Sequence, residues 1–260
     1  MAHTIAIANQ KGGVGKTTTS VNLAAALGMN RRRVLLVDLD PQGNATVGSG
    51  VDKDAVRHTG YDVLTQKISV REAIVPVPDA GYDLVPGNSD LTAAEVELLE
   101  VEARDQQLRR QLVRLKDDYD YILVDCPPSL NILTLNALVA ARGVLIPIQC
   151  EYYALEGLTA LLNTVKRVQD RANPELRING LLRTMYDPRN NLANQVAAQL
   201  LQHFPKQVYS TQIPRNVRLA EAPSHGRTAI QYDRYSRGSL AYMALASEVI
   251  RRDMQAATAK

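Results

Sequence analysis

Apolar runs of strand length alternate along this chain with longer segments in which apolar residues recur at helical spacing. Each short run ends at a turn, glycine, proline or charged residue, and each predicts a buried strand. The predicted strands are Thr4–Ala8, Val34–Val37, Tyr121–Val124, Val144–Ile148 and Ile178–Met185. The predicted helices are Thr18–Met29, Leu91–Leu115, Ile132–Ala141, Leu155–Asn173 and Ser239–Met254.

Two of these helices have an apolar face that can be specified from the spacing. Within Leu91–Leu115 the face consists of Val96, Leu99, Leu108, Leu112 and Leu115. Within Ser239–Met254 it consists of Leu240, Met243, Ala244, Ser247 and Ile250. We interpret this last helix as packing on the core, because a membrane-surface helix would carry bulkier apolar residues opposite a denser lysine face.

The alternation of strands and helices predicts an α/β fold with a mostly parallel, twisted sheet and helices on both faces. We expect the 260 residues to form a single domain, 1–260. Ligands of such sheets bind at the carboxyl ends of the strands, and the main polar motifs described below follow predicted strands.

Composition narrows the class of protein. Hydrophobic residues make up 45% of the chain and charged residues 22%, which is typical of a globular protein with a full core. No apolar run reaches the length of a membrane span, and the N-terminus has no signal-peptide pattern. Cys126 and Cys150 are too few for a disulfide framework. Together these features predict a cytoplasmic protein.

Charge is unevenly distributed along the chain, although the net charge is only +3. Residues 1–176 contain 18 Lys/Arg and 22 Asp/Glu, whereas residues 177–260 contain 12 Lys/Arg and 5 Asp/Glu. A basic C-terminal third favours a surface that binds polyanions, and a solvated surface without a partner is the alternative.

The segment Gly12–Thr17 has the spacing of a phosphate-binding loop and lies between a predicted strand and a predicted helix. Its glycines allow backbone amides to converge on phosphates, and the helix N-terminus adds its positive end. We expect Lys16 to bind the terminal phosphates and the Thr17 hydroxyl to ligate Mg²⁺. The predicted ATP-binding residues of the loop are Lys11, Gly12, Gly13, Val14, Gly15, Lys16, Thr17 and Thr18.

Lys11 is a second lysine that an ordinary phosphate loop lacks. It lies at the start of the loop, where folding back onto its own nucleotide would compete with Lys16. A long cation at this position can instead reach the phosphates of a second molecule, as an arginine finger does in trans. A solvated surface lysine is the alternative interpretation.

Three aspartates at the ends of predicted strands complete the candidate site. We expect Asp40 to position the attacking water. Asp125 follows an apolar run in the manner of a Walker B aspartate, which acts on Mg²⁺ through water. For Asp38 two roles remain open, indirect support of the metal and capping of a helix. The site therefore combines catalytic Lys11, Lys16 and Asp40 with metal-binding Thr17, Asp38 and Asp125.

Five motifs follow one another along nearly the whole chain. They are Asn9–Thr18, Leu36–Asn44, Asp125–Ser129, Gln149–Gly157 and Ile213–Gly226. Together they resemble the deviant Walker A ATPases, and specifically the ParA/Soj chromosome- and plasmid-partition family. The resemblance implies a P-loop NTPase fold of the MinD-like kind.

The family resemblance also implies a mechanism. It implies ATP/ADP and Mg²⁺ as ligands, weak intrinsic turnover and an ATP-dependent homodimer in which Lys11 crosses to the partner's phosphates. It implies that Asp40 is needed for hydrolysis rather than for binding. The ATP-bound dimer would bind double-stranded DNA without sequence preference on the nucleoid, and a ParB-type centromere-binding protein would stimulate hydrolysis and release.

The resemblance carries further residue assignments over to this chain. Arg189 and Arg218 match positions used for DNA binding, with Arg215 and Arg227 as further candidates, and Pro214 and Asn216 match positions near the adenine. Few aromatic residues lie among these arginines, which favours salt-sensitive phosphate contacts over base readout. Pairing with a carboxylate such as Glu221 or Asp233 is the alternative for any one arginine.

Two features depart from the family pattern. The chain starts at its first strand, so we expect no N-terminal helix-turn-helix of the kind found in larger plasmid relatives, and hence no specific operator binding. Arg183 stands where a buried strand would carry an apolar residue or threonine, and no role for it follows from the sequence.

Three other functions share parts of this pattern. A MinD-like membrane-cycling ATPase would need a C-terminal amphipathic anchor, which Ala256–Lys260 does not supply. A redox ATPase similar to the nitrogenase iron protein would hold an iron–sulfur cluster on two cysteines of each chain, whereas Cys126 and Cys150 suit buried structural thiols. The third alternative is a nucleotide switch without meaningful turnover.

Overall fold

The computed structural model describes residues 2–258, which include a seven-stranded sheet of order β3-β4-β2-β5-β1-β6-β7. All neighbouring strands are parallel except β3, which runs antiparallel to β4 at the edge of the sheet. The strands are β1 (His3–Ile7), β2 (Val34–Asp38), β3 (Val75–Val77), β4 (Tyr82–Val85), β5 (Tyr121–Asp125), β6 (Gly143–Gln149) and β7 (Arg177–Thr184).

Helices connect the strands and follow the last of them. The α-helices are α1 (Lys16–Met29), α2 (Asn44–Gly48), α3 (Gly60–Leu64), α4 (Leu91–Glu97), α5 (Gln107–Leu112), α6 (Ile132–Ala140), α7 (Ala154–Arg171), α8 (Asn191–His203), α9 (Val217–Glu221), α10 (Ala229–Tyr232) and α11 (Arg237–Thr258). Short 3₁₀ helices occupy Val70–Ala73, Pro78–Ala80, Leu98–Glu100, Val113–Leu115 and Ala222–His225.

Both faces of the sheet are buried. Alternate side chains of the strands point to opposite faces, so that Ala6 and Val124 join one core while Ile7 and Leu123 join the other. The first core is covered by helices α3 to α8, and the second by α1, α2 and α9 to α11. The predicted α/β class, with a mostly parallel sheet between two helical layers, is confirmed.

The five predicted strands and the predicted helices after β1, β5 and β6 are present with shifts of at most a few residues. The short strands β3 and β4 were not predicted, because a three- or four-residue run interrupted by Pro76 carries little periodicity. Proline is tolerated there because β3 is an edge strand.

The prediction of one continuous helix over Leu91–Leu115 is wrong. The chain forms α4, a 3₁₀ turn and α5, and it is extended at Val101 (φ −93°, ψ 131°). Leu98 and Leu108, on either side of Val101, are both buried. Val96, assigned to the predicted apolar face, is 66% exposed. The predicted apolar face is therefore wrong at Val96.

Helix α11 packs on the core as predicted, but its buried face is not the predicted one. Leu240 is 49% exposed, whereas Tyr242 is 1% exposed and shares a 3.1 Å hydrogen bond with the Thr19 hydroxyl of α1. The buried face of α11 is therefore the one that carries Tyr242. The buried apolar and aromatic residues are Tyr242, Leu245, Ala246 and Val249.

The structure explains the polar residue Arg183 on β7. This strand is at the outer edge of the sheet, and the Arg183 guanidinium donates to the carbonyl oxygens of Tyr209 (3.2 Å) and Ser210 (3.3 Å). It also lies over the ring of Tyr186, 5.4 Å from the ring centroid. Arg183 therefore ties the segment that follows α8 to the edge of the sheet.

None of the helices within residues 2–258 is both long enough and apolar enough to cross a bilayer. The C-terminal segment Ala256–Lys260, on which the sequence argument about an anchor rested, lies partly outside the described residues, which end at Thr258.

A glycine contact between α1 and the turn before β4 provides a test of the packing. A β-carbon at Gly28 would lie 2.2 Å from the carbonyl oxygen of Gly81. Because this is a backbone atom, the clash can be relieved only by moving the main chain of α1 or of the turn. We expect Gly28→Ala to lower the free energy of unfolding by about 1–3 kcal/mol, despite the higher helix propensity of alanine. Urea unfolding followed by circular dichroism measures the change.

The matched control is Gly157→Ala in α7, where no atom lies within 4 Å of the added carbon. This substitution should raise stability by up to about 1 kcal/mol. A Gly28→Ala protein that gains stability in the same way would contradict the close packing of α1.

Candidate nucleotide site

The phosphate loop connects the end of β1 to the start of α1, as the motif requires. Gly13 (φ 72°) and Gly15 (φ 87°) adopt the left-handed conformation that other residues rarely occupy. Lys16 is 7% exposed, and its Nζ donates to the carbonyl oxygen of Lys11 at 3.1 Å. Burial lowers the pKa of the Lys16 ammonium, and the carboxylates of Asp125 and Asp40 oppose this shift. The loop therefore holds Lys16 beside two carboxylates.

Asp125 at the end of β5 is hydrogen-bonded to the first turns of α1. The Thr17 hydroxyl donates to its Oδ2 at 2.8 Å, and the Ser20 hydroxyl donates to its Oδ1 at 2.7 Å. Asp125 is fully buried, and burial, together with the neighbouring Asp38 carboxylate, raises its pKa. A cation at this site would favour the ionised carboxylate. Thr17 and Asp125 thus offer adjacent oxygen atoms, as the predicted metal site requires.

Asp38 at the end of β2 is engaged by the segment that follows it. Its Oδ2 accepts from the amide and the hydroxyl of Thr46, both at 2.8 Å, and its Oδ1 accepts from the amide of Asp40 at 3.1 Å. The Thr46 hydroxyl in turn accepts from the amide of Gly87 at 2.8 Å. Asp38 therefore braces this loop and caps α2, and its support of a metal remains a prediction.

Asp40 lies at the start of the same loop, 7% exposed, and its Oδ1 accepts from the amide of Gln42 at 3.0 Å. Its charge acts on the pKa values of Lys16, Asp38 and Asp125. The structure therefore brings the predicted catalytic aspartate into the same site as the phosphate loop.

Lys11 forms an ion pair that the sequence reasoning missed. Its Nζ lies 2.6 Å from Oε2 of Glu151, which follows β6 in the motif Gln149–Gly157. Both side chains are partly exposed, at 39% for Lys11 and 46% for Glu151. In the isolated chain Lys11 thus points to a carboxylate at the surface, and its action on a second molecule remains a prediction.

The end of β7 also contacts the phosphate loop, which was not predicted. The Thr184 hydroxyl donates to the carbonyl oxygen of Val14 at 2.8 Å. Two residues further on, Tyr186 forms a parallel bridge with Pro214. The Asn216 side chain accepts from the amide of Arg218 at 2.9 Å and caps α9. A role of Pro214 and Asn216 near the adenine remains a prediction.

The two arginines assigned to DNA binding by resemblance are paired within the chain. Arg189 forms a bidentate contact with Asp187, with nitrogen–oxygen distances of 3.0 and 2.7 Å. Arg218 lies 2.8 Å from Glu221 and 3.4 Å from Asp233. The alternative that carboxylates cap such arginines therefore holds for both. Arg215 and Arg227 are exposed and form no ion pair within 4 Å inside the range 2–258.

Cys126 and Cys150 are both buried free thiols. Burial raises the pKa of Cys126 far above its usual range and that of Cys150 to about 11. A cluster shared between two chains needs thiolates at the surface, so this placement argues against the redox alternative.

Comparison with known proteins identifies the family. A family model described as an AAA domain matches residues 2–178. The sporulation initiation inhibitor protein Soj of Bacillus subtilis is 53% identical over 249 residues, which cover 96% of this chain and 98% of that protein. The chromosome partitioning protein ParA of Myxococcus xanthus is 51% identical and covers 96% of this chain and 88% of that protein. The chain belongs to the ParA/Soj family of chromosome-partitioning ATPases.

A solved structure agrees with the fold. Cobyrinic acid a,c-diamide synthase from Mycobacterium smegmatis, with a bound ATP analogue and magnesium, has a TM-score of 0.85 and 39% identity, covering 96% of this chain and 95% of that chain. In the described part of the ParA/Soj chain, no group of three or more His, Cys, Asp or Glu side chains is arranged to bind a metal ion. Thr17 and Asp125 instead suit Mg²⁺ that arrives with phosphate oxygens and water.

The brace around Asp38 yields a prediction about this ParA/Soj chain. Thr46→Val removes a hydroxyl that donates to Asp38 and accepts from Gly87, while it keeps the side-chain shape. Because buried polar partners are left unsatisfied, we expect the free energy of unfolding to fall by about 1–3 kcal/mol. Thr46→Ser keeps the hydroxyl and should stay close to the original protein. Equal urea midpoints for Thr46→Val and the unmodified chain would show that the brace is unimportant.

Proposed function

We propose that this protein is an ATP-dependent DNA-partition ATPase that acts as a single domain over 1–260. The observation that carries the proposal is the convergence of Lys16, Thr17, Asp40 and Asp125 at the carboxyl ends of β1, β2 and β5. This arrangement supports phosphate binding, metal binding and water activation at one point. Membership of the ParA/Soj family supports partition as the process that the ATPase serves.

The site residues have separate tasks in hydrolysis. Lys16 and the loop amides bind the β- and γ-phosphates, and Thr17 with Asp125 holds Mg²⁺, which neutralises phosphate charge. Asp40 orients the water whose oxygen bonds to the γ-phosphorus while the bond to the bridging oxygen breaks, which yields ADP and phosphate. Intrinsic turnover is weak in this proposal, because in the isolated chain Lys11 lies beside Glu151 and no second Lys11 reaches the phosphates.

Dimerisation completes the site in this proposal. Two ATP-bound chains face each other across their phosphate loops, and Lys11 exchanges Glu151 for the phosphates of the partner's nucleotide. The exposed ion pair contributes at most about 1 kcal/mol, so the exchange costs little. Lys11 then places positive charge where it develops during phosphoryl transfer.

The ATP-bound dimer binds double-stranded DNA on the nucleoid through the basic C-terminal third. Residues 177–260 carry an excess of seven positive charges, and dimerisation doubles the charged surface. Binding is salt-sensitive and independent of sequence, because the arginines are suited to phosphate contacts. A ParB-type centromere-binding protein stimulates hydrolysis and releases the dimer.

DNA retention in three nucleotide states tests the proposed function. A labelled duplex should bind in the presence of ATP and Mg²⁺, but weakly with ADP or without nucleotide, and binding should fall as salt rises. Arg218→Ala should weaken binding, whereas Arg110→Gln, which removes an exposed charge from α5 on the other face of the sheet, should not. Nucleotide-independent binding, or no binding in any state, would refute the proposal.

Size-exclusion chromatography tests the roles of Asp40 and Lys11. Asp40→Ala removes the group that positions water but leaves phosphate contacts, so with ATP it should accumulate as a dimer with little hydrolysis. The double substitution Asp40→Ala/Lys11→Ala should remain monomeric, because the contact to the partner's nucleotide is lost. A dimer of the double variant would contradict the role of Lys11 in trans.

A further inference from the structure

The loop between α10 and α11 has an unusual surface. Tyr235 is 84% exposed, the highest value among the large apolar and aromatic side chains of residues 2–258. Arg234 and Arg237 on either side are also exposed, and neither forms an ion pair within 4 Å in the described part of the chain. We refer to Asp233–Arg237 as the 233–237 loop.

Hydrogen bonds hold the 233–237 loop in place. The Asp233 side chain accepts from the amide of Tyr235 at 3.2 Å, and the Asp233 carbonyl accepts from the amide of Ser236 at 3.2 Å and from the hydroxyl of buried Ser239 at 2.7 Å. Tyr235 is thus presented on a fixed turn at the start of α11. Because the backbone of the loop is held in this way, it loses little conformational entropy when a partner binds.

The 233–237 loop adjoins both arginines that the family resemblance assigned to DNA. Asp233 contacts Arg218 at 3.4 Å. On the other side, hydrogen bonds from Arg189 lower the pKa of Asp187, and the charge of Arg237 adds to this effect, so Arg237 lies near that pair. The loop and the two arginines therefore belong to one basic surface.

Within this surface the cations differ in availability. Arg189 and Arg218 are already paired with Asp187, Glu221 and Asp233, so a phosphate must displace a carboxylate to reach them. Arg234 and Arg237 form no ion pair within 4 Å in residues 2–258, although Asp187 is close enough to interact with the charge of Arg237. Phosphates can therefore bind these two guanidinium groups without the loss of an internal ion pair.

We propose that the 233–237 loop is a primary DNA contact, in which Arg234 and Arg237 bind phosphates and Tyr235 packs against the sugar–phosphate backbone. The inference rests on the proposed function and identifies the surface through which the protein would bind DNA. Tyrosine suits such a contact, because its ring covers a large area with few rotatable bonds and its hydroxyl can donate to a phosphate. Since these contacts address the backbone, they carry no base specificity.

Fluorescence anisotropy with a labelled mixed-sequence duplex tests the loop. The full chain is titrated with Mg²⁺ and a slowly hydrolysed ATP analogue at several NaCl concentrations. Tyr235→Ala should weaken affinity by about fivefold or more at every salt concentration with an unchanged salt slope, because no charge is lost. Tyr235→Phe should retain most of the affinity. Arg234→Gln and Arg237→Gln should each reduce the slope by about 1, and the control Arg110→Gln should change neither quantity.

The outcomes separate this inference from the proposed function. If the unmodified chain binds DNA only with nucleotide, but Tyr235→Ala and both arginine variants bind equally well, the loop assignment is wrong and the proposed function stands. If the unmodified chain binds no DNA in any nucleotide state, the proposed function itself fails. Loss of binding to phosphatidylglycerol vesicles without loss of DNA binding would overturn the DNA assignment in favour of a membrane contact. Equal melting temperatures show that the variants are folded.

Discussion

The buried carboxylate of Asp125, held by the hydroxyls of Thr17 and Ser20, is the contact on which the site depends. It joins α1 to β5, which lies between β2 and β1 in the sheet. The register places Asp38 directly beside Asp125 on the neighbouring strand, so two carboxylates share a buried region. Such an arrangement is costly unless donors and cations compensate for it. The hydroxyls and Lys16 supply part of that compensation, and in the proposed function a magnesium ion that arrives with nucleotide would add to it.

Charged side chains are also paired at the surface. Lys11, Arg189 and Arg218 are cations with expected roles toward other molecules, and each is paired with a carboxylate of its own chain. Exposed pairs of this kind are weak, so they can be exchanged for phosphate, but the carboxylate must still be displaced first. The isolated chain therefore keeps these three cations paired, whereas Arg234 and Arg237 form no ion pair within residues 2–258.

Sequence patterns succeeded where one short element carried the information. The glycines, Lys16 and Thr17 specify the phosphate loop locally, and the apolar runs specify β1, β2 and β5 to β7. The patterns failed where burial depended on distant partners. The predicted helix over Leu91–Leu115 is interrupted at the extended residue Val101, and α11 buries Tyr242 against Thr19 instead of the predicted face. Neither outcome is contained in the spacing of apolar residues.

The amino-acid sequence by itself determined the fold class and the chemistry of the phosphate loop, because strand–helix alternation and loop spacing are local properties. Only the tertiary structure decided which polar and charged groups contact one another. Glu151 is 140 residues from Lys11, Thr184 is 170 residues from Val14, and Thr46 reaches Asp38 across a loop. The first two of these contacts follow from strand order, which brings the carboxyl ends of β1, β2, β5, β6 and β7 together at one edge of the sheet.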